Sequence, residues 1–461
     1  MRFSDPSDLL PDFCFRKGTF MDTLFSNISV ITMDERMRVL TDAFVGVKDG
    51  VISYLDTIAP KAQPKQIVDG TGMVLIPGLI NCHTQLDLTL LRGYADDCDH
   101  QTRLGERIYP REEKTDDRAA KAAALLGFAE CLRFGVTSVS NLSGHPNAVA
   151  EAAAQCGIKA NIAPEITMLL GEDFDFETYP ACREFVQAHE TWHNHDNGRI
   201  RIDAGLQGEY TSSYPLWDAL AEYAINNQLG MQLHLSQTAQ EQEDCLDRTG
   251  LTPAQLLDCH NLFRVPAQAA HCTHLEAEDM ALLARRGASA VWCPVSDRKL
   301  AAGHADPMAM VKAGMNVALG SDCTANVNSL DLFRQLREAA LSFKDLTGDP
   351  TAGSASTALL LATVCGARAQ GRSTQCGMIK VGMDADLAML DFTQPHLIPC
   401  HNLISNAVYA ADGHDVCMTM VRGKILYAAG KYTTIDLGAL MKELAEHAMP
   451  TVFAAEKEET I

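Results

Sequence analysis

A chain of 461 residues, 47% of them hydrophobic, is long enough for one large domain and a smaller companion, because an α/β barrel of about 250 residues counts as one unit. The formal net charge of −21, with no basic stripe to offset it, argues against nucleic acid and anionic membrane surfaces as partners. No apolar run reaches about 18 residues, so no membrane span is expected.

The first residues, MRFSDPSDLLPDFCFRKG, carry acids and a proline where a secretory signal needs a basic start and an apolar core. A cytoplasmic location is therefore expected. The 15 cysteines are odd in number and lack CxxC pairs, which predicts reduced thiols, mostly small core residues. Next, LFSNISVITMDERMRVLTDAFVGVKDGVISYLD (24–56) reads as short strands with a D-G hairpin turn at 49–50.

The middle of the chain alternates. Apolar strand-like runs (VTSVSNL, IKANIAP, IRIDAGL, MQLHLSQ, QAAHC, SAVWCP, NVALGSD) are separated by Ala/Leu-rich stretches of helical period, such as 116–135 and 279–287. The second of these ends in a C-cap glycine. Beyond it, ADLAMLDF (385–392) and MTMVRGKILYAAGKY (418–432) return to strands with R-G and A-G turns. Neither terminal segment can bury a core alone, so the two are expected to pair. The predicted fold is α/β: a (β/α)₈ TIM barrel over 76–377 and a small β-sandwich from 18–75 plus 378–435. A C-terminal helix and tail occupy 436–461, ending in the charged, frayed AAEKEETI.

In such a barrel the chemistry sits at the C-terminal ends of the strands. Those ends carry His83 and Gln85, Gln207, His234 and Gln237, His271 and His274, and Asp322. Taken singly, a strand-end histidine is an ordinary hydrogen-bonded residue, and an aspartate there an ordinary helix cap. Together they point to one shared site. Strand alternation turns Cys82 and Cys272 away from the neighbouring histidines, while Cys323, beyond its strand, is left as a candidate nucleophile.

Several of these residues, His83, Gln85, His271, His274 and Asp322 among them, lie in long stretches that carry a likeness to a known family: VDGTGMVLIPGLINCHTQLDLTLLRGYADD, RIYPREEKT, AAHCTHLEAEDMALLARRGASAVWCPVSDRKLAAG, VALGSDCTANVNSLDLFRQLREAAL and VGMDADLAML. The chain thereby resembles the amidohydrolase superfamily, in its deaminase and triazine-chlorohydrolase branch. The resemblance implies one divalent metal, zinc or iron, held by an HxH pair, a strand-five His and a strand-eight Asp. It also implies an acidic proton shuttle and a strand-six His that polarises the substrate. Carried over, His83, His234 and Asp322 are the metal ligands and His271 the polarising histidine, while His274 supports structure. Homo-oligomers, dimers or higher, are part of the same implication.

The chain departs from this pattern in one direction. Gln85 replaces the second His of HxH, Gln237 the Glu of HxxE, and Gln207 a substrate-facing His; Asp297 also replaces an Asn. A glutamine can hydrogen-bond but cannot titrate. Two histidines and a carboxylate are still a ligand set for zinc or ferrous iron. The expected substrate-facing groups are Gln85, Gln207, Glu209, Gln237 and His271, with Asp322 and His271, or the added Glu209, carrying proton transfer. The expected function is hydrolysis of a C–N or C–halogen bond in a small, polar, nitrogen-rich heterocycle. The alternatives are a metal-independent enzyme using Asp322 and His271, or an inactive binding or assembly homologue.

Overall fold

The computed structural model describes residues 21–99, 102–168 and 171–454. The expectations for the first 18 residues and for the charged tail beyond Ala454 lie outside the described residues.

The N-terminal segment forms β1 (Met21–Ile31), β2 (Val39–Lys48), β3 (Val51–Asp56), β4 (Pro64–Asp69) and β5 (Met73–Pro77). β2 and β3 are antiparallel and meet at Lys48↔Val51, so Asp49–Gly50 is the turn. Both of its residues have positive φ (51° and 81°), which a tight hairpin needs and which Asp and Gly tolerate.

The parallel strands follow: β6 (Leu79–Thr84), β7 (Val136–Ser143), β8 (Lys159–Pro164), β9 (Ile200–Ile202), β10 (Ala204–Leu206), β11 (Met231–Leu235), β12 (Ala267–His271), β13 (Ser289–Trp292) and β14 (Asn316–Leu319). They form two arcs, β6 to β9 and β10 to β14, each in chain order. The run IRIDAGL divides at Asp203, where the backbone changes partner. Asp203 N–H donates to Ile162 in β8 (2.9 Å), whereas Ala204 N–H donates to Gly230 just before β11 (2.8 Å). At the opposite seam Asp322 N–H donates to the His83 carbonyl (3.0 Å), so hydrogen bonds join the arcs on both sides. Nearly every residue of these strands is buried, as expected when helices cover one face and a packed interior the other.

Two of the covering helices show why their boundaries fall where they do. Asp117–Arg133 begins at Asp116, whose carboxylate accepts from Ala119 N–H. Ala277–Arg286 stops at Gly287, at φ 73°. Among the described residues no helix is long and apolar enough to cross a membrane.

The C-terminal segment supplies β15 (Leu387–Asp391), β16 (Val416–Val421), β17 (Lys424–Ala428) and β18 (Lys431–Tyr432). β15 lies antiparallel to β5, from Leu387↔Pro77 to Asp391↔Met73, so both terminal segments share one nine-stranded sheet. Phe25, Val45, Leu75, Leu387 and Met420 are among the members of its own apolar cluster, separate from the core of the parallel arcs. A helical run from Leu437 to Val452 then crosses back towards the parallel strands. Phe453 meets Tyr94 edge-on at 5.1 Å, and Arg111 lies over both rings, which ties this run to the segment that walls the site described next.

Candidate active site

The C-terminal ends of β6, β11 and β12 bring His83, His234 and His271 together. Their ring centroids are 4.9, 5.6 and 5.4 Å apart for the three pairs. Asp322, three residues past β14, completes the group, with Oδ1 3.8 Å from His83 Nε2. Gly320 makes this approach possible, since a Cβ there would lie 2.7 Å from that of His83. His271 and Asp322 both sit at φ 72° and Ser236, beside Gln237, at 46°. For residues with a Cβ, left-handed backbone costs on the order of 1 kcal/mol or more. His271 and Asp322 so placed line the pocket, and hydrogen bonds to their side chains hold them there.

Two of the three rings have one nitrogen committed. His234 Nδ1 lies 2.7 Å from the Gln207 carbonyl. A carbonyl can only accept, so Nδ1 carries the proton and Nε2 keeps its lone pair. His271 Nδ1 bonds Asp297 Oδ1 at 2.7 Å, which leaves Nε2 for the pocket. His83 Nε2 is buried with no hydrogen-bond partner. Asp322 is held at Oδ2 by Ser296 and by Asn326 Nδ2 (2.8 Å), and at Oδ1 by the Cys323 N–H (2.6 Å).

The charges follow from these neighbours. Burial, and repulsion from an adjacent imidazolium, push His83 well down and His234 to about 4, so both are neutral near pH 7. Burial alone would lower His271, but the hydrogen bond and charge of Asp297, with Asp322 beyond, outweigh it and raise it. Burial would raise Asp322. His271, His83, Ser296 and Asn326 together overcome that and hold its carboxyl below the usual range.

The glutamines are placed as follows. Gln85 Nε2 donates to Glu165 Oε2 at 2.7 Å. Gln207 Nε2 reaches the Tyr109 hydroxyl at 3.4 Å, while its buried Oε1 has no partner. The backbone N–H groups of Ser236 and Gln237 are anchored on Glu241, at 2.8 and 2.7 Å. Gln85, Gln207, Gln237, His234, His271 and Asp322 all line one pocket. Glu209 is also buried, but it is ion-paired with Arg248 and lines neither this pocket nor the chamber beside it, and His274 Nε2 bonds the Ala302 carbonyl at 2.7 Å. Cys323 is buried and its thiol is pushed well up by that burial, the opposite of an activated nucleophile.

Sequence reasoning missed the opposite wall. Glu165 directly follows β8 and is a strand-end residue like the others, so the same rule finds it. Glu112 ends the short helix Tyr109–Glu112, and Asp87 lies in the turn after Gln85. Burial raises all three, and repulsion adds to it for two: Glu112 and Asp87 push Glu165 further up, and Asp87 helps to bring Glu112 to about 7. Beside the pocket, which holds about 50 Å³, is a chamber of about 560 Å³; Leu88, Tyr109, Glu112, Glu165 and Gln207 belong to both.

A divalent cation suits the histidine side. The donor nitrogens of His83, His234 and His271 lie within 4.8 Å of one another, and the unpartnered Nε2 of His83 is a buried lone pair that lacks a counterpart. Two neutral imidazoles and an ionised carboxylate are the chemistry such an ion requires.

Comparison with known proteins agrees with this geometry. A model of the amidohydrolase family matches residues 74–426. The 5-methylthioadenosine/S-adenosylhomocysteine deaminase of Moorella thermoacetica is 37% identical over 374 residues, spanning 81% of this chain and 86% of that enzyme. The crystal structure of an adenosine deaminase from Xanthomonas campestris with bound zinc has a TM-score of 0.86 at 30% identity, covering 93% of this chain and 98% of that one. The zinc complex of the Arthrobacter aurescens atrazine chlorohydrolase has a TM-score of 0.83 at 21% identity, a likeness of fold covering 93% of this chain and 100% of that one.

Proposed function

The chain belongs to the amidohydrolase family, and from that premise we infer that it is a hydrolase cleaving a carbon–nitrogen bond of a small, nitrogen-rich heterocycle. An adenosine-type nucleoside, losing its exocyclic amino group as ammonia, is the proposed substrate. The observation that carries this reading is the convergence of His83, His234, His271 and Asp322 from four strand ends, with the buried Nε2 of His83 left without a partner. In the same reading the two arcs close as a (β/α)₈ TIM barrel over 76–377. The shared sheet folds as a β-sandwich of 18–75 plus 378–435, and 436–461 forms the terminal helix and tail.

His83, His234 and Asp322 would hold one divalent cation, zinc or iron. Such an ion supplies Lewis acidity that brings the pKa of a water towards neutrality. The remaining work belongs to the chain. Water adds to the amino-bearing carbon, one proton leaves the water, and one reaches the departing nitrogen. Gln237 cannot titrate, so Asp322 accepts the first proton and His271, raised and presenting Nε2, donates the second. The depressed basicity of Asp322 makes its half of the transfer the more demanding one. Gln85, Gln207 and Gln237 orient the heterocycle by hydrogen bonds, the free Oε1 of Gln207 as an acceptor.

Protein purified without added metal or chelator is expected to carry about one zinc or iron per chain and to release ammonia from 5′-methylthioadenosine. Absence of both metal and ammonia would sink the reading. The grip of Glu165 on Gln85 favours a second reading, in which Asp322 and His271 work without metal. Turnover that survives chelation would establish it. We further place the protein in the cytoplasm, because the 14 cysteines among the described residues are all free thiols. On the family resemblance we propose a homo-oligomer, dimer or higher, which sedimentation measures directly.

A further inference from the structure

The chamber beside the pocket is lined by Asp87, Glu112, Glu113 and Glu165, and no Lys or Arg is among the described residues lining it. His145, also on its wall, is paired with Asp117 at 2.8 Å. Its acceptors outnumber the donors that meet them. Asp87 is 7% exposed; its Oδ2 accepts from Ser143 Oγ at 2.8 Å, but its Oδ1 has no partner. Gln207 is outside the acidic group, 8% exposed, and likewise presents an unpartnered oxygen where pocket and chamber meet. Buried acceptors without donors are costly unless a ligand brings N–H groups to them.

The spacing decides what kind of ligand. Among the described residues the group of His, Cys, Asp and Glu close enough to share one metal ion is His83, His234 and His271. The chamber carboxyls are therefore too widely placed to close on a bare ion. A volume of about 560 Å³ suits an organic group. The repulsion that raises Glu112 and Glu165 would be relieved by a positive charge set among them.

We propose that this chamber is a subsite for an organic cation of the ammonium type carried by the substrate, recognised by Asp87, Glu112 and Glu165 with Gln207 as an accompanying acceptor. The proposal rests on the deaminase reading for the orientation of that substrate, since the heterocycle must lie towards His271 with its cationic substituent in the chamber. It goes beyond that reading in naming the charge of the substituent.

The test compares benzylammonium with neutral benzyl alcohol by calorimetric titration of the full-length protein at pH 8. The cation is expected to bind at least about tenfold more tightly, the scale of one partly desolvated charge pair. Values of Kd within twofold of each other would overturn the subsite. In Asp87→Asn/Glu112→Gln the preference should shrink to about threefold or less, and a preference that persists would overturn the residue assignment. Circular dichroism checks that this variant folds, and Glu112→Gln alone serves if it does not. Ammonia release is followed in parallel from 5′-amino-5′-deoxyadenosine, an adenosine-type nucleoside whose substituent is such a cation. Cation preference without turnover would defeat the deaminase reading and leave the subsite standing; turnover without preference would do the reverse.

Discussion

Asp322 and Glu165 face the same pocket and are driven in opposite directions. Burial acts on both in the same sense, raising the carboxyl. Asp322 is surrounded by two imidazoles and by donors from Ser296 and Asn326, and it stays ionised. Glu165 has Glu112 and Asp87 as neighbours and a single glutamine donor, and it is pushed up. Depth inside the protein therefore does not decide the charge here; the identity of the neighbours does. One wall of the cavity is arranged to hold a proton-accepting anion, the other to await a positive charge.

The largest effect should come from breaking the ionised wall. Asp322→Asn keeps the size of the side chain but removes its charge, and kcat/KM for ammonia release is expected to fall roughly 10³-fold. A loss under tenfold would show that proton transfer does not depend on this carboxylate. Next in size is an attempt to make the two walls alike. Gln85→His with Gln237→Glu restores the residues that the family resemblance implies, and should raise metal affinity about tenfold or more. Unchanged metal content would mean that Glu165 holds position 85 away from the histidines.

A smaller effect is expected in stability. Glu112 has a folded pKa of about 7 against the ordinary 4.5. Its contribution to stability is thus fully present below pH 4.5 and is lost as pH rises through about 7. Glu112→Gln removes that loss. The variant should melt with the parent near pH 4 and about 2 °C above it from pH 8, on the order of 1–3 kcal/mol. A gap that opens towards acid instead would contradict the sign. Smallest of all is Cys323→Ser, where a buried, raised thiol predicts kcat within about twofold of the parent.

Much of the ionised wall was legible in the sequence, because period-two alternation and strand-end position place His83, His234, His271 and Asp322 without knowledge of any loop. The acidic wall was not. Glu165 obeyed the same rule but stood behind Pro164, which ended the apparent strand. Glu112 and Tyr109 reach the site from a segment of π- and α-helical turns whose path depends on contacts with the C-terminal helix. Glu209 is the converse case: its place in the chain suggested the cavity, whereas the fold pairs it with Arg248, 39 residues on, outside the residues that line pocket and chamber. Strand alternation is a local property, whereas the choice of an ion-pair partner is settled only after folding. The turns at Asp49–Gly50, Arg422–Gly423 and Ala429–Gly430 were read correctly for the local reason, since each needs positive φ.

The pairing of β5 with β15 has a consequence for how the protein is made. Pro77 meets Leu387, so β5 leaves the ribosome on the order of 15–60 s before its partner, at about 5–20 residues per second. During that interval the first five strands have an open edge, and any growing chain nearby can offer it a strand. Complete synthesis is what closes that edge. A nascent chain stalled within the parallel strands would present an aggregation-prone surface, while its finished copy carries the same residues inside a sheet.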